Sequence, residues 1–319
     1  MAVGQNEFPT MPDVPGIKLG TYNVGIKQTV RDDLLLIEMA EGAICAAVFT
    51  RNAFCAAPVI VAKDHLKHKP RWLVINSGNA NAGTGLQGYE DAKATCHEVA
   101  VEADGKSNQV LPFSTGVIGQ PLPVDKIKAA IPGAYQQLKE SNWDKAAKAI
   151  MTTDTFPKGV SLTIMLDGHP ITINGIGKGA GMIQPDMATM LAFIATDAKI
   201  TQTLLQKCLA AAVDKSFNRI TVDGDTSTND ACVLMASGCS AAPKIGAKTE
   251  AYDLFADAIL AVCKQLAELI IRDGEGATKL MRIVVEEAKS DAEALSVAKT
   301  IAHSPLVKTA FFASDPNWG

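Results

Sequence analysis

Residues 177–193 read GKGAGMIQPDMATMLAF, and a fold and a chemistry can both be predicted from this stretch. Three glycines surround Lys178, a proline turn follows, and Thr189 stands at the start of an apolar strand. A phosphate-binding loop of the Walker A type requires a serine or threonine after the lysine, and then a helix. Here Gly179 follows the lysine, and Pro185 and a strand follow the loop. The spacing therefore favours turn glycines that present another residue over a nucleotide cradle.

Thr189 is the candidate nucleophile of this stretch. A hydroxyl nucleophile needs a base within hydrogen-bond reach, and no histidine of the chain lies in a recognisable nucleophile elbow. The alternative base is the α-amine of the threonine itself, which titrates near pH ~8 once it is free. That chemistry requires the bond between Ala188 and Thr189 to be cut first. The structural alternative is that a β-branched residue simply begins a strand.

Around this stretch, strand-like and helical patterns alternate along the chain. Asp167-Gly168 separates two apolar runs and is the strongest hairpin signal in the sequence. Glu41-Gly42 separates residues 34–40 from residues 42–49, and we expect these two strands to pair. Hairpins mixed with helices predict an α/β fold with mixed rather than purely parallel sheets.

The C-terminal part is predicted to contain one helix between two strands. Residues 280–288 (LMRIVVEEA) form an apolar run of the strand type. Ser290 and Glu293 make a capping box, which predicts a helix that stops before Pro305. Residues 308–319 (KTAFFASDPNWG) are expected to form an apolar strand and a turn, so we expect a truncated chain.

Composition argues against several classes of partner. The chain has 319 residues, 47% of them hydrophobic, which is enough for a large core. A net charge of −4 provides no basic surface for nucleic acid. No apolar run is long enough to cross a bilayer, and the N-terminus lacks the pattern of a secretion signal. We therefore expect a cytoplasmic protein without a membrane partner.

Cysteine and histidine do not suggest a metal centre. The seven cysteines form no Cys-x-x-Cys pair, and most lie in apolar runs, so we expect them to be reduced and buried. The five histidines are scattered, without the spacing of metal ligands. No metal site is predicted.

Several longer motifs resemble those of one enzyme family. Residues 177–198 are similar to the self-cleavage region of the ornithine acetyltransferases, also called bifunctional arginine-biosynthesis glutamate N-acetyltransferases, the ArgJ family. The similarity extends over nearly the whole chain in five further blocks: NSGNANAGTG (76–85), STGVIG (114–119), MTTDTFPK (151–158), RDGEGATK (272–279) and SPLVKTAFFASDPNWG (304–319).

The resemblance implies an Ntn-hydrolase-like layered sandwich of mixed sheets and helices that cuts itself between Ala188 and Thr189. The products would be an α and a β chain, with Thr189 as the nucleophile and as a substrate contact. Thr115 and Gly116 would line the oxyanion hole. Further substrate contacts would come from Thr152, Lys178 and Glu275.

The implied activity transfers the acetyl group of N2-acetyl-L-ornithine to L-glutamate through an acetyl-threonine intermediate. No cofactor is implied, and the use of acetyl-CoA as a second donor stays open. Two alternatives also stay open: a self-cleaving aminopeptidase or amidase, and a folded but inactive truncated precursor.

Family precedent implies an α2β2 heterotetramer. Residues 1–282 would form the catalytic core, and residues 283–319 would begin an incomplete C-terminal α/β subdomain. Family members also contribute an asparagine and a threonine from near their C-terminus, and this sequence ends before that region.

Three polar features remain to be interpreted. Lys178 is expected to bind a substrate carboxylate, to lower the pKa of the Thr189 amine, or to be a solvated loop lysine. Residues 76–85 either form hydrogen bonds near the site or are an ordered Asn/Gly turn without chemistry. Residues 223–230 (DGDTSTND) lack the spacing of an EF-hand, so a solvated loop is expected there.

Overall fold

The computed structural model describes residues 3–4, 7–27, 30–184 and 190–316, which form two stacked β-sheets with helices outside them. The nine strands of the described residues are β1 (Ile17–Tyr22), β2 (Leu34–Met39), β3 (Ile44–Phe49), β4 (Trp72–Asn79), β5 (Val110–Val117), β6 (Lys158–Leu166), β7 (His169–Lys178), β8 (Leu191–Thr196) and β9 (Ala231–Ala236). Their eight α-helices are α1 (Ala57–His65), α2 (Gly85–Glu102), α3 (Val124–Gln136), α4 (Trp143–Ala149), α5 (Gln202–Asp214), α6 (Glu250–Arg272), α7 (Asp291–Ala302) and α8 (Pro305–Ala313). The predicted α/β class is confirmed.

The first sheet has the strand order β1-β2-β4-β5. Its β1–β2 and β2–β4 pairs are antiparallel, whereas β4 and β5 are parallel because α2 carries the chain back along the sheet. Leu34 and Leu36 of β2 are buried in one cluster with Cys96 of α2 and with Ile127 and Ile131 of α3. These helices therefore cover the outer face of this sheet.

The second sheet has the order β3-β9-β8-β7-β6, with one parallel pair, β8–β9, connected through α5. The long helix α6 covers its outer face. The helix begins after Thr249, whose hydroxyl accepts a hydrogen bond from the Tyr252 N–H. Its apolar residues recur at helical spacing, and Ile259, Leu266 and Ile270 are buried against the sheet, as their periodicity predicts.

The inner faces of the two sheets share one core. Leu35 and Ile37 of β2 are buried there together with Phe193 of β8 and Val233 of β9. The rings of Phe113 and Phe193 meet edge to face, with 5.3 Å between their centroids. Because these strands are covered on both faces, their sequences are continuous apolar runs rather than alternating ones.

The hairpin predicted at Asp167-Gly168 is confirmed. β6 and β7 are antiparallel, and Leu166 lies opposite His169. Asp167 and Gly168 have φ angles of 47° and 78°, which a two-residue turn of type I′ requires.

The pairing predicted around Glu41-Gly42 is wrong. β2 lies between β1 and β4 in the first sheet, whereas β3 pairs with β9 in the second. Both edges of β2 are already occupied, so β3 has no edge to pair with. The turn instead moves the chain from one sheet to the other.

The capping box at Ser290 begins a helix, as predicted. The Glu293 N–H donates to the Ser290 hydroxyl at 3.2 Å, and α7 ends at Ala302, before Pro305. The division of the chain into residues 1–282 and 283–319 stays a prediction.

Both strands predicted near the C-terminus are wrong. Residues 280–288 adopt no regular structure. Residues 305–313 form the helix α8, for which Ser304 accepts a hydrogen bond from the Val307 N–H and Pro305 stands in the first turn. These local start signals outweigh the apolar composition, since proline at the first helical position is already set to a helical φ.

None of the helices in the described residues combines the length and the apolar character needed to cross a membrane. The seven cysteines are all unpaired. Five of them are buried, and burial raises the pKa of the Cys45 thiol to about 12, which keeps it protonated.

Candidate active site

The candidate site lies where the end of β5 in the first sheet meets the end of β7 in the second. Lys178 at the end of β7 donates a hydrogen bond from Nζ to Thr115 Oγ1 at 2.9 Å. Both side chains are buried, although both are polar. The structure therefore brings together two of the residues predicted for the site, one from each sheet.

Gly116 lies beside Thr115 and is in close contact with β4. It pairs with Gly78 in the parallel register, and its φ is +134°. A Cβ atom on Gly116 would lie 2.3 Å from the carbonyl carbon of Gly78. Only glycine fits here, for reasons of both space and backbone conformation.

The Asn/Gly-rich segment 76–85 frames this glycine pair. The Asn76 amide donates to the Asn79 carbonyl at 2.8 Å, and the Ser114 hydroxyl donates to Asn76 Oδ1 at 2.6 Å. The Asn79 amide donates to the carbonyls of Gln120 and Pro121. These amides bond to the protein itself, so the segment is an ordered support for the end of β5.

A fully buried ion cluster lies next to Lys178. Lys158 Nζ lies 2.7 Å from Asp154 Oδ1 and 2.6 Å from Asp273 Oδ2, and all three side chains are inaccessible to solvent. Asp273 also accepts hydrogen bonds from the backbone N–H and the hydroxyl of Thr155. Buried charges require such pairing, because each loses its hydration.

Asp154 links this cluster to Thr152 and to Gly179, the residue after Lys178. Its Oδ2 accepts the Thr152 N–H at 2.9 Å, and its Oδ1 accepts the Gly179 N–H at 2.7 Å. Burial by itself would raise the pKa of Asp154, but the charges of Lys158 and Lys178 and the hydrogen bonds outweigh it. The pKa is lowered to about 2, so the carboxylate is ionised near neutral pH.

Lys178 is a buried strand residue, and the solvated-loop interpretation is wrong. Residues 175–178 belong to β7, where a Cβ on Gly175 would lie 2.8 Å from Val262 of α6. Burial lowers the pKa of Lys178, while the carboxylates of Asp154, Asp230 and Glu275 raise it in part. Such a lysine gives up its proton more readily than a surface lysine.

Glu275 lies over the turn that follows Lys178. Its N–H donates to the Ala180 carbonyl at 2.8 Å. A Cβ on Gly181 would lie 2.6 Å from a carboxylate oxygen of Glu275, which is itself exposed. The predicted contacts Lys178 and Glu275 thus come from distant parts of the chain to one side of the site.

Ala188 and Thr189 lie outside the described residues. The chain before them is held by Asp223, whose carboxylate accepts the N–H groups of Met182 at 2.6 Å and Ile183 at 2.9 Å. After them, the Ala231 N–H donates to the Met190 carbonyl at 3.1 Å.

The solvated loop predicted for 223–230 is confirmed only in its first part, where Asp223, Asp225 and Thr226 are exposed. Residues 227–230 are buried, and the Asn229 amide donates to the carbonyls of Ala80 at 2.6 Å and Ser114 at 2.9 Å. The segment therefore connects the chain after Thr189 to the supports of the end of β5. Its acidic composition had suggested solvation because a sequence does not show which amides are enclosed.

No group of three His, Cys, Asp or Glu side chains within the described ranges is arranged to hold a metal ion. The carboxylates of Asp154 and Asp273 are already paired with Lys158.

The sequence model of the ArgJ family matches residues 18–319. The chain belongs to the ArgJ family. The arginine biosynthesis bifunctional protein ArgJ of Methylococcus capsulatus is 63% identical over 306 residues, which cover 96% of this chain and 75% of that protein. The prediction of an enzyme of this arginine-biosynthesis family is confirmed.

Several solved structures are similar to this ArgJ-family chain. The arginine biosynthesis bifunctional protein ArgJ of Bacillus halodurans is 31% identical with a TM-score of 0.50, over 56% of this chain and 92% of that one. The L-aminopeptidase D-Ala-esterase/amidase of Ochrobactrum anthropi, described as a variant of the Ntn hydrolase fold, has a TM-score of 0.53 at 11% identity, over 85% of this chain and 89% of that one. The second likeness concerns the fold alone, and the predicted Ntn-hydrolase-like sandwich is confirmed.

Sequence reasoning missed several polar residues of this ArgJ-family site. Lys27 Nζ donates to the Ala149 carbonyl at 3.2 Å, and the Arg31 guanidinium donates to the Thr152 carbonyl at 2.9 Å. Burial and the charge of Arg31 lower the pKa of Lys27 to about 8. Asp154 and Lys158 were part of the quoted motif 151–158, but only their enclosure in the fold reveals their role.

Proposed function

We propose that this chain is an ornithine acetyltransferase that moves the acetyl group of N2-acetyl-L-ornithine to L-glutamate through an acetylated Thr189. Membership of the ArgJ family supports this activity, and so does the name of the relative from Methylococcus capsulatus. The observation that carries the proposal is the buried contact between Lys178 and Thr115 beside Gly116, where the two sheets meet.

The first step makes the nucleophile. The Thr189 hydroxyl attacks the Ala188 carbonyl carbon, and an N-to-O acyl shift replaces the peptide bond with an ester. Water hydrolyses this ester, which leaves Ala188 as a carboxyl terminus and Thr189 with a free α-amine. That amine can then act as the base, because it titrates near pH ~8.

Turnover consists of two half-reactions. The Thr189 amine takes the hydroxyl proton as the oxygen attacks the acetyl carbonyl of N-acetylornithine, and ornithine leaves with that proton. The α-amine of glutamate then attacks the acetyl ester, which yields N-acetylglutamate and restores the threonine. Two successive transfers through one covalent intermediate give ping-pong kinetics.

The oxyanion of each tetrahedral intermediate is assigned to Thr115 and Gly116. When Lys178 is protonated, it donates to the Thr115 oxygen, so the hydroxyl proton of Thr115 is available for another acceptor. The close approach of Gly116 to Gly78 holds this turn in one conformation. Preorganised donors of this kind are worth ~10²- to 10³-fold in rate each.

The charges around the site suit an amino-acid substrate. The ammonium of Lys178 would attract a substrate carboxylate, or else lower the pKa of the Thr189 amine. The exposed carboxylate of Glu275 would attract the side-chain ammonium of ornithine. Thr152 would make a polar contact with the substrate. It is half-buried, and both its N–H and its carbonyl are held by hydrogen bonds.

The remaining parts of the proposal follow the family resemblance. The enzyme would be an α2β2 heterotetramer of cleaved chains in the cytoplasm and would need no cofactor. Residues 1–282 would carry the catalysis, and residues 283–319 would begin a further subdomain. Acetyl-CoA is a candidate second donor, which an assay with acetyl-CoA and glutamate alone would test.

The Thr189→Ala variant tests the nucleophile. We expect this variant to remain a single chain of 33.6 kDa without transferase activity. The wild type should give a second chain whose N-terminal sequence is Thr-Met-Leu-Ala-Phe. Thr163→Ala, which changes an exposed threonine of β6, is the matched control and should cleave and react normally. A Thr189→Ala protein that still separates into two chains would remove this nucleophile.

A second assay separates transfer from hydrolysis. The wild type is incubated with N-acetylornithine, with and without glutamate, and acetate and N-acetylglutamate are measured. Transfer predicts N-acetylglutamate with glutamate present and little acetate without it. Equal acetate release in both cases would instead identify an amidase, and a lack of any product would identify an inactive precursor.

A further inference from the structure

A chain of alternating buried charges runs from Lys178 through Asp154 and Lys158 to Asp273. Asp154 and Lys158 belong to the motif MTTDTFPK, of which only Thr152 has been assigned a role so far. Lys158 is buried completely between the two carboxylates, at 2.7 Å and 2.6 Å.

Asp154 uses both of its oxygens as acceptors. Oδ1 accepts from Lys158 Nζ and from the Gly179 N–H, and Oδ2 accepts from the Thr152 N–H. An ionised carboxylate accepts on both sides, whereas an asparagine amide would turn an NH2 group toward one of these backbone donors. The Asp154 side chain therefore sets the distance between Thr152 and the end of β7 that carries Lys178.

Asp273 extends the same arrangement to the third predicted substrate contact. It stands two residues before Glu275, and its carboxylate accepts the Thr155 N–H at 2.9 Å as well as Lys158. Lys158 precedes the proposed cleavage position and Asp273 follows it. This buried pair would therefore align the two polypeptides after cleavage.

We propose that Asp154 is a positioning residue for substrate binding. Its carboxylate holds Thr152 and Lys178 at a fixed distance from each other. Through Lys158 and Asp273, it also aligns these two residues with Glu275. The inference rests on the proposed function, because that function makes these three residues substrate contacts. The alternative is that the cluster only contributes to stability. Buried ion pairs are often replaceable by apolar groups without loss of stability, so stability alone does not explain this arrangement.

The test compares Asp154→Asn with Asp197→Asn. Asp197 has the same overall exposure as Asp154, 6%, although its carboxyl group is less deeply enclosed. It follows the C-terminal end of β8, and its carboxylate accepts the Thr172 N–H at 2.9 Å. Self-cleavage is followed by intact mass, and folding by circular dichroism and thermal unfolding. KM and kcat are measured for N-acetylornithine and for glutamate.

We expect Asp154→Asn to fold and cleave, and its KM values to rise ~10-fold or more while kcat changes less, since the contacts are displaced but the nucleophile is intact. Asp197→Asn should fold and leave the KM values unchanged, because an asparagine oxygen can still accept the Thr172 N–H. The double variant Asp154→Asn/Lys158→Met distinguishes positioning from charge balance. It removes one buried charge of each sign, so the net charge of the four groups is unchanged. One backbone N–H still lacks its acceptor, so its KM values should stay raised.

Three results would overturn the positioning role: unchanged KM values in a folded Asp154→Asn, recovery of KM in the double variant, or an uncut Asp154→Asn chain. If Asp154→Asn does not fold, Asp273→Asn replaces it, because that change leaves the bonds from Asp154 to Thr152 and Gly179 in place. A smaller increase in KM is then expected, and no increase would contradict the role. A wild type without acetyl transfer would refute the proposed function, whereas an active wild type with an unaffected Asp154→Asn refutes only the positioning role.

Discussion

Lys178 Nζ donates to Thr115 Oγ1 across 2.9 Å, and this bond joins the ends of the two sheets. Thr115 belongs to β5 of the first sheet and Lys178 to β7 of the second, 63 positions apart in the chain. A buried ammonium whose partner is a hydroxyl orients that hydroxyl, because the lysine can only donate. The bond therefore aims the Thr115 proton away from Lys178.

Replacement of Thr115 should reduce the rate rather than binding. Thr115→Ala removes a predicted oxyanion donor, so we expect kcat to fall ~10²- to 10³-fold with a small change in KM. Thr115→Ser keeps the hydroxyl and should retain most of the activity. Steady-state kinetics on both variants make the comparison, and equal activities would show that the hydroxyl is not used.

The lowered pKa of Lys178 predicts that activity and stability respond in opposite ways to alkaline pH. Burial holds this pKa below the usual value of 10.5, although the carboxylates of Asp154, Asp230 and Glu275 oppose the shift and Lys158 adds to it. Activity that needs the ammonium should fall as pH rises through the lowered pKa. In the window between that pKa and 10.5 the unfolded state binds the extra proton, so this group makes the fold more stable as pH rises.

Lys178→Met is the matched variant for this pH dependence. It lacks the titrating group, so its free energy of unfolding should lack the alkaline gain that the wild type shows. Its kcat/KM should be low at all pH values. Urea unfolding and kinetics in parallel buffers measure both, and identical pH profiles of stability would contradict the assignment.

Gly116 and Gly119 offer a matched pair of glycine substitutions. Both have positive φ, 134° and 78°, but a Cβ on Gly116 would lie 2.3 Å from Gly78, whereas a Cβ on Gly119 would meet nothing within 4 Å. Gly119→Ala should lower the free energy of unfolding by ~1 kcal/mol, because only backbone strain opposes it. Gly116→Ala should lower the free energy of unfolding further and abolish acetyl transfer. Thermal unfolding and activity assays distinguish them, and equal effects would show that the close approach does not matter.

Asp154 should stabilise the fold in a way that is lost in acid. Its pKa is about 2 in the folded protein against 3.8 for an unperturbed side chain, so its contribution is complete above 3.8 and disappears as pH falls toward 2. The difference corresponds to ~2 kcal/mol. Between pH ~5 and ~2, the wild type should lose that much more stability than Asp154→Asn.

Asp197 provides a control because its pKa is shifted in the opposite direction to that of Asp154. Burial raises the pKa of its carboxyl group, so its protonation favours the folded state as pH falls. Asp197→Asn should therefore not reduce the acid loss. Urea unfolding at several pH values compares the three proteins, and an acid loss in Asp154→Asn equal to that of the wild type would contradict the lowered pKa.

Much of the fold could be predicted because its signals are local. The turn at Asp167-Gly168, the capping box at Ser290 and the periodicity of α6 each depend on residues close together in the chain. The pairing of β2 with β3 could not be excluded in this way. It depends on β1 and β4, which occupy the edges of β2 and come from other parts of the chain.

The candidate site likewise contains residues that the sequence indicated and residues that only the structure revealed. Long motifs pointed to Thr115, Gly116 and Lys178, and the structure places these three together. Asp154, Lys158 and Asp273 carry ordinary charged side chains whose pairing spans 115 positions between Lys158 and Asp273. All three belong to motifs that carry the family resemblance, but the sequence did not show that their side chains pair in the interior.

The sequence by itself determined the class of the fold, the family and the kinds of chemical groups that the chain supplies, because these follow from composition, turn residues and motifs. The tertiary structure alone decided which groups are buried together. Burial changes a lysine on a glycine-rich segment into an enclosed ammonium beside Thr115, and an acidic loop into a support for β5. The physical reason is that desolvation and hydrogen bonding depend on enclosure from all sides, which distant segments of the chain provide.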